Sequence, residues 1–112
     1  MAGNRAIANI TFQDKVTSPA EGLVYMIASD ASTMNIDFVG TGTFTAVIKG
    51  KIFNESEFDE IMVVNLKTLD MTTQPNTFDT YQCDITAWSY IACEITSVTS
   101  EGGISVYAKL VG

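Results

Sequence analysis

Three successive segments near the end of the chain, inside Thr80–Gly112, alternate apolar and polar side chains with a period of two. That period belongs to a strand with one face on a core and one face out, and a helix does not reproduce it. In Tyr81–Ile85 the inward set is Tyr81, Cys83 and Ile85. In Ile91–Ile95 it is Ile91, Cys93 and Ile95, and in Ile104–Leu110 it is Ile104, Val106, Ala108 and Leu110. The connections, Thr86-Ala-Trp-Ser-Tyr90 and Ser100-Glu-Gly-Gly103, carry turn chemistry. Strands of this kind must bury their apolar faces against other layers, so an all-β class is expected.

The upstream sequence agrees. Leu23–Ala28 is a continuous apolar run, as expected of a strand covered on both faces. Met34–Phe38 sets Met34, Ile36 and Phe38 against Asn35 and Asp37, and Gly40-Thr-Gly42 reads as a turn. Thr43–Phe53 is the longest expected strand. Phe44, Ala46, Ile48, Gly50 and Ile52 face one way, and Thr45, Val47, Lys49 and Lys51 the other. The two lysines mark that second face as solvent-exposed or as edge protection. Ile61–Leu66 is a further apolar run between an acidic loop, Asn54–Glu60, and a polar loop, Thr68–Asp79. No stretch stripes at 3.6 residues; in Glu55–Leu69, the nearest, the apolar residues cluster instead. About seven to eight strands at a spacing near 8–12 residues predict an antiparallel β-sandwich, jelly-roll or immunoglobulin-like.

Residues 1–20 are less regular. Ile10 and Phe12 share one side of Ile7–Phe12, and Ser18-Pro19 then interrupts the chain. The segment reads either as an arm ordered by docking or as a first strand of the sandwich. The division adopted is an N-terminal arm over 1–20 and a β-sandwich domain over 21–112. Arg5, Ile7, Ile10 and Phe12 are then the expected arm-docking residues.

A chain of 112 residues is one domain, able to bury roughly 65% of its unfolded surface. It has no histidine and a formal charge of −7. Missing histidine removes the commonest general base and the commonest metal ligand together. No catalytic residue, cofactor or metal is therefore expected, and the chain is not expected to be an enzyme. Six Lys and Arg against thirteen acids argue against nucleic acid, which needs clustered cations. Residues 1–20 sum to +1 and residues 21–112 to −8, a near-neutral start on an acidic body. No stretch approaches the ~18 apolar residues of a membrane span, and the start lacks a signal-type apolar run. The expectation is a soluble protein made in the cytoplasm, with no membrane partner.

Four constellations invite chemistry. Asp79-Thr-Tyr81-Gln-Cys83 has the D-x-Y-x-C form of an immunoglobulin strand, but no cysteine precedes Cys83 and Trp88 follows it, so that bridge is impossible. Tyr81 can still close a corner by bonding a loop. Cys83 and Cys93 would face each other if Tyr81–Ile95 were a simple hairpin; small buried thiols are the plainer reading. Asn54–Glu60 holds four acids, but lacks the glycine and D-x-D-x-D spacing of a calcium loop, and reads as solvated. Trp88, Tyr90 and Tyr107 fall in a turn or at outward positions, where aromatics anchor an interface or stack on sugar rings.

Longer stretches carry a resemblance. Phe38-Val-Gly-Thr-Gly-Thr-Phe-Thr-Ala-Val-Ile-Lys-Gly50, Val64-Asn-Leu-Lys-Thr68, Tyr81-Gln-Cys-Asp-Ile-Thr86, Ile95-Thr-Ser-Val98 and Gly103-Ile-Ser-Val-Tyr-Ala-Lys-Leu-Val-Gly112 resemble small β-sandwich virion structural proteins of tailed bacteriophages and prophages. The chain departs from that pattern at Ala87, Ala92 and Glu94. The resemblance implies a capsid decoration protein: a homo-oligomer, expected to be a trimer, bound to the major capsid protein in the virion. The alternative it implies is a tail, baseplate or fibre module binding host-surface carbohydrate through Trp88, Tyr90 or Tyr107.

Overall fold

Alternation fixes which side of a strand faces the core, and in this chain the longer strands satisfy it by crossing repeatedly between two sheets. The structure, a computed structural model, describes residues 6–27 and 30–112. Its elements are β1 (Ala6–Val16), β2 (Val24–Met26), β3 (Thr33–Gly40), β4 (Thr43–Lys51), β5 (Asp59–Glu60), β6 (Val63–Asn65), β7 (Met71–Thr72), β8 (Thr80–Asp84), β9 (Tyr90–Thr99) and β10 (Ile104–Val111). A six-stranded sheet has the order β1-β10-β3-β8-β6-β7, and a four-stranded sheet the order β2-β9-β4-β5. All pairings are antiparallel. The all-β sandwich is as expected. The strand number rises to ten because β2, β5, β6 and β7 are pieces of two or three residues.

The core lies between the sheets. Ile10, Phe12, Met34, Ile36, Phe38, Tyr81, Val106 and Leu110 enter from one side, and Phe44, Ile48, Ile91, Cys93 and Ile95 from the other. Each fully buried side chain of this size stabilises by about 1.5–3 kcal/mol. Aromatic rings lock the layers at one end. Phe38 stacks on Phe44 across the gap with centroids 4.9 Å apart, and meets Tyr81 edge-on at 5.5 Å. The Tyr81 hydroxyl bonds the Thr77 hydroxyl, so it closes a corner through a side chain and not through loop backbone.

Four expectations need correction. The boundary at residue 20 is not one: β1 is a full edge strand paired to β10 from Ala6↔Val111 to Val16↔Ile104. Ile10 and Phe12 lie in the molecule's own core, only 4% and 2% exposed, because burial there outweighs holding them out on an arm. Second, the tail forms no hairpins. β8 and β10 belong to the six-stranded sheet and β9 to the other, so both expected turns are corners between layers. Gly40-Thr-Gly42 is another such corner. Gly42 has φ +96°, and a Cβ there would lie 2.1 Å from the Thr99 carbonyl oxygen. Third, Leu23–Ala28 is not covered on both faces where it is described. β2 is an edge strand, with Met26 68% exposed. Fourth, Lys49 is buried at 9% despite its outward position. Its ammonium is clamped at 3.1 Å by both Glu21 and Glu94 and lies over the Phe58 ring. Burial alone pushes that ammonium's pKa down, but the bonds from Glu94 and Glu21 outweigh it and the net direction is up.

Candidate functional site

The outer face of the six-stranded sheet carries a regular array that strand register builds from four separate segments. Asn9 pairs with Lys109, Lys109 with Asn35, and Asn35 with Gln82. Two residues along, Thr11 pairs with Tyr107, Tyr107 with Asp37, and Asp37 with Thr80. Because these alternate with Ile10, Ile36, Ala108 and Tyr81, whose side chains go inward, all eight project to solvent on one face. Two side-chain hydrogen bonds organise them. The Gln82 amide donates to Asn35 Oδ1 at 2.9 Å, and the Thr80 hydroxyl to Asp37 Oδ1 at 3.3 Å. All of these but Thr11, together with Leu66, line an open concavity of about 530 Å³.

Towards the β7 edge the same face turns apolar. Met62, Val64 and Leu66 alternate outward, and Met71 pairs across from Val64. Met62, Leu66 and Met71 are 49%, 42% and 69% exposed. This strip contrasts with the outer face of the other sheet, where Lys51 lies 4.7 Å from the centroid of Phe58 and 5.5 Å from that of Tyr90.

The expected site residues are dispersed. Tyr107 is exposed, at the centre of the array. Trp88 is half-buried against the core, and its ring occupies the space a Cβ at Gly50 would need, 2.8 Å away. Tyr90 is half-buried on the opposite sheet under Lys51. The three aromatics therefore form no common platform. Of the arm set, Ile7 is partly exposed, Ile10 and Phe12 are core, and Arg5 lies outside the described residues. The amides Asn9, Asn35 and Gln82 are what sequence reasoning missed. Each stands at an outward position of a strand, but only the register shows that they meet.

The remaining groups are chemically quiet. Cys83 and Cys93 sit in different sheets and are free thiols. Burial, with Asp84 second, pushes the Cys83 thiol up to about 12, and burial beside Glu94 pushes Cys93 up as well. Both stay protonated near neutrality and are not nucleophiles. Hydrogen bonds from Thr77, then Asn65, hold the Asp79 carboxyl below its ordinary value, and Thr86 does the same for Asp84. Among the described residues no three acidic or thiol side chains converge as a metal cluster.

The profile of the XepA family matches residues 6–109. The chain belongs to the XepA family. The match begins where β1 begins, so the first strand lies inside the family's domain. Two solved structures have this fold. The SPBc2 prophage-derived protein YomS superposes with a TM-score of 0.87 at 18% identity, covering 100% of this chain and 97% of that one. The PBSX exported protein XepA gives 0.85 at 20% identity, covering 100% of this chain and 39% of that one. At such identities the likeness is one of fold, and this XepA-family chain spans about two-fifths of the exported protein's length. Among curated proteins none matches its sequence.

Proposed function

We propose that the chain is a phage-derived structural protein that works by non-covalent binding and carries no catalysis. Its family and the two prophage proteins that share its fold support the phage origin. The observation that carries a binding role is the apolar strip of Met62, Val64, Leu66 and Met71 on the outer face of the larger sheet. A soluble domain keeps such a contiguous exposed strip where a partner covers it. The unbranched thioether chains of Met62 and Met71 adapt to an irregular partner surface better than rigid ones.

The assembly we infer is capsid decoration: copies of the chain associate, as a trimer, and lie on the major capsid protein. Multivalent attachment lets a small contact on each copy add up to stable occupancy. With Ile10 and Phe12 in the core, the docking surface moves from the start of the chain to this strip. The test is gradient purification of particles from the encoding phage, with quantitative immunodetection of wild type and of Met62→Lys/Met71→Lys. We expect the wild type to band with particles at a fixed ratio to the major capsid protein. The double variant should remain folded and stay at the top of the gradient. Wild type absent from particles, or a double variant that decorates them fully, sinks the reading.

A further inference from the structure

We propose that the concave array on the outer face of the six-stranded sheet, centred on Tyr107, is a binding site for a neutral, polyhydroxylated ligand, a short glycan. It goes beyond capsid decoration and does not depend on it, since the strip that serves docking lies towards the β7 edge and the array over β1, β10, β3 and β8, with Leu66 alone at their boundary.

Three observations point to that ligand. The first is donor chemistry. Asn9, Asn35 and Gln82 each offer an amide donor and a carbonyl acceptor, and Thr11 and Thr80 offer hydroxyls. Adjacent sugar hydroxyls, each both donor and acceptor, are matched by such groups. Anions need clustered cations and cations need clustered carboxylates. The second is charge. On a chain of net −7 the concavity holds one cation, Lys109, and one anion, Asp37, and so is locally neutral. Nucleic acid and acidic polymers are poorly served by this balance. The third is the ring. Tyr107, 43% exposed, stands in the second row beside Lys109 of the first, where its apolar body can lie against the C–H face of a sugar and its hydroxyl can reach a neighbour.

The array is also prepared for such a ligand. The Gln82–Asn35 and Thr80–Asp37 bonds orient four of the eight side chains in advance. Among the described residues, Asn9, Lys109 and the Tyr107 hydroxyl make no side-chain hydrogen bond and remain open to a ligand. Four strands at about 4.8 Å spacing make the rows about 14 Å long, the footprint of a linear chain of sugar rings and not of a single ring. Its volume of about 530 Å³ lies within the ~300–1,000 Å³ of small-molecule sites. All eight of the array's side chains stand on hydrogen-bonded strands, so their spacing is set by the sheet ladder.

The experiment screens purified wild type on an array of immobilised neutral and anionic oligosaccharides, then titrates the strongest hit by calorimetry. The variants are Tyr107→Ala, Tyr107→Phe, Asn35→Ala, Thr45→Ala on the other sheet, and Met62→Lys/Met71→Lys. We expect a neutral glycan whose binding persists in about 0.5 M salt. Tyr107→Ala and Asn35→Ala should weaken it by about tenfold or more at unchanged melting temperature. Tyr107→Phe, which keeps the ring, stays closer to wild type, and Thr45→Ala has no effect. The Met62/Met71 variant keeps full glycan affinity, so this site and the docking strip succeed or fail separately. The proposal is overturned by no bound glycan, by hits confined to anionic glycans and abolished by salt, or by affinity that Tyr107→Ala and Asn35→Ala leave untouched. Partner-protein capture that depends on Tyr107 with no glycan bound overturns it equally.

Discussion

Gln13 shows how a single polar side chain ties the sandwich together. It is 4% exposed, and its amide donates to the Ala20 carbonyl at 3.0 Å and to the Cys93 carbonyl at 2.9 Å, joining the edge strand of one sheet to the centre of the other. Gly22, at φ +76°, leaves the room this needs; a Cβ there would sit 2.3 Å from the Gln13 amide nitrogen. Gln13→Ala removes two hydrogen bonds and opens a void, while the Ala20 carbonyl keeps its bond from the Ile95 N–H at 2.9 Å, and should cost about 1–3 kcal/mol. Urea unfolding checks this as a lower midpoint at unchanged slope. The thiols give a second, pH-dependent signature. Burial first and Asp84 second raise Cys83 from 9.0 to about 12. A group whose pKa rises on folding contributes its stability in full below the unfolded value, and loses it as pH climbs towards the folded one. Between pH 9 and 12 the unfolded chain releases the proton and the folded chain keeps it, so stability falls with pH by at most about 1.4 kcal/mol per unit per thiol. Cys93, raised for the same reason with Glu94 second, adds to the decline. Cys83→Ala/Cys93→Ala should show a shallower alkaline decline than wild type in parallel urea titrations. Equal slopes would show that the thiols are not the source.

At the scale of the element, β1 decides between an arm and a strand. It pairs with β10 over most of its length, and Lys15 N–H reaches the Ser105 hydroxyl at 3.0 Å despite a register shift. Deleting residues 2–16 removes Ile10 and Phe12 from the core and frees the β10 edge, and should abolish the cooperative thermal transition in circular dichroism. A detachable arm predicts an intact transition. The elements also show what a sequence can and cannot reveal here. The period of two in Ile104–Leu110 placed Ile104, Val106, Ala108 and Leu110 inward, and all four are buried. The same period is silent about partners, because a strand alternates identically whether its neighbour follows it by a hairpin or lies across the core. Hence Cys83 and Cys93, symmetric about Trp88, ended in different sheets. Lys49 misled for a related reason. Its position is outward, but the Glu21 segment and Phe58 fold over that face, and only tertiary contact shows a lysine covered there. The Tyr107 ring was legible as an exposed aromatic. The carboxamides beside it were not, since Asn9, Asn35 and Gln82 are separated by up to 73 residues and meet only through β10 and β3.

For the whole molecule, the connectivity makes the two ends of the domain neighbours in one sheet. Ala6 pairs with Val111, so the strand that opens the domain and the strand that closes it form one ladder at the sheet edge. Most of the fold then rests on pairings between distant segments, and the six-stranded sheet cannot be completed before β10 is present, nor the four-stranded sheet before β9. Loop closure over such separations makes folding slow compared with helical domains, on the order of milliseconds to seconds. Covalent order along the chain is nevertheless a separate matter from the packing. If the array over β1, β10, β3 and β8 is a property of the packed sheet, joining the two ends and opening the chain elsewhere should preserve it. The exposed acidic loop between β4 and β5 is the natural opening, because it is held only by local bonds such as Ser56 N–H to the Phe53 carbonyl at 3.0 Å. A permutant beginning at Glu55, with residue 112 linked to residue 6 through a short Gly-Ser segment, should keep a single cooperative unfolding transition. It should also keep the glycan affinity of the parent, because every array residue retains its cross-strand neighbours. A permutant that folds cooperatively but fails to bind would locate the glycan site outside the β1–β8 array. One that fails to fold would show that the order in which β1 and β10 are made is part of how the sandwich closes.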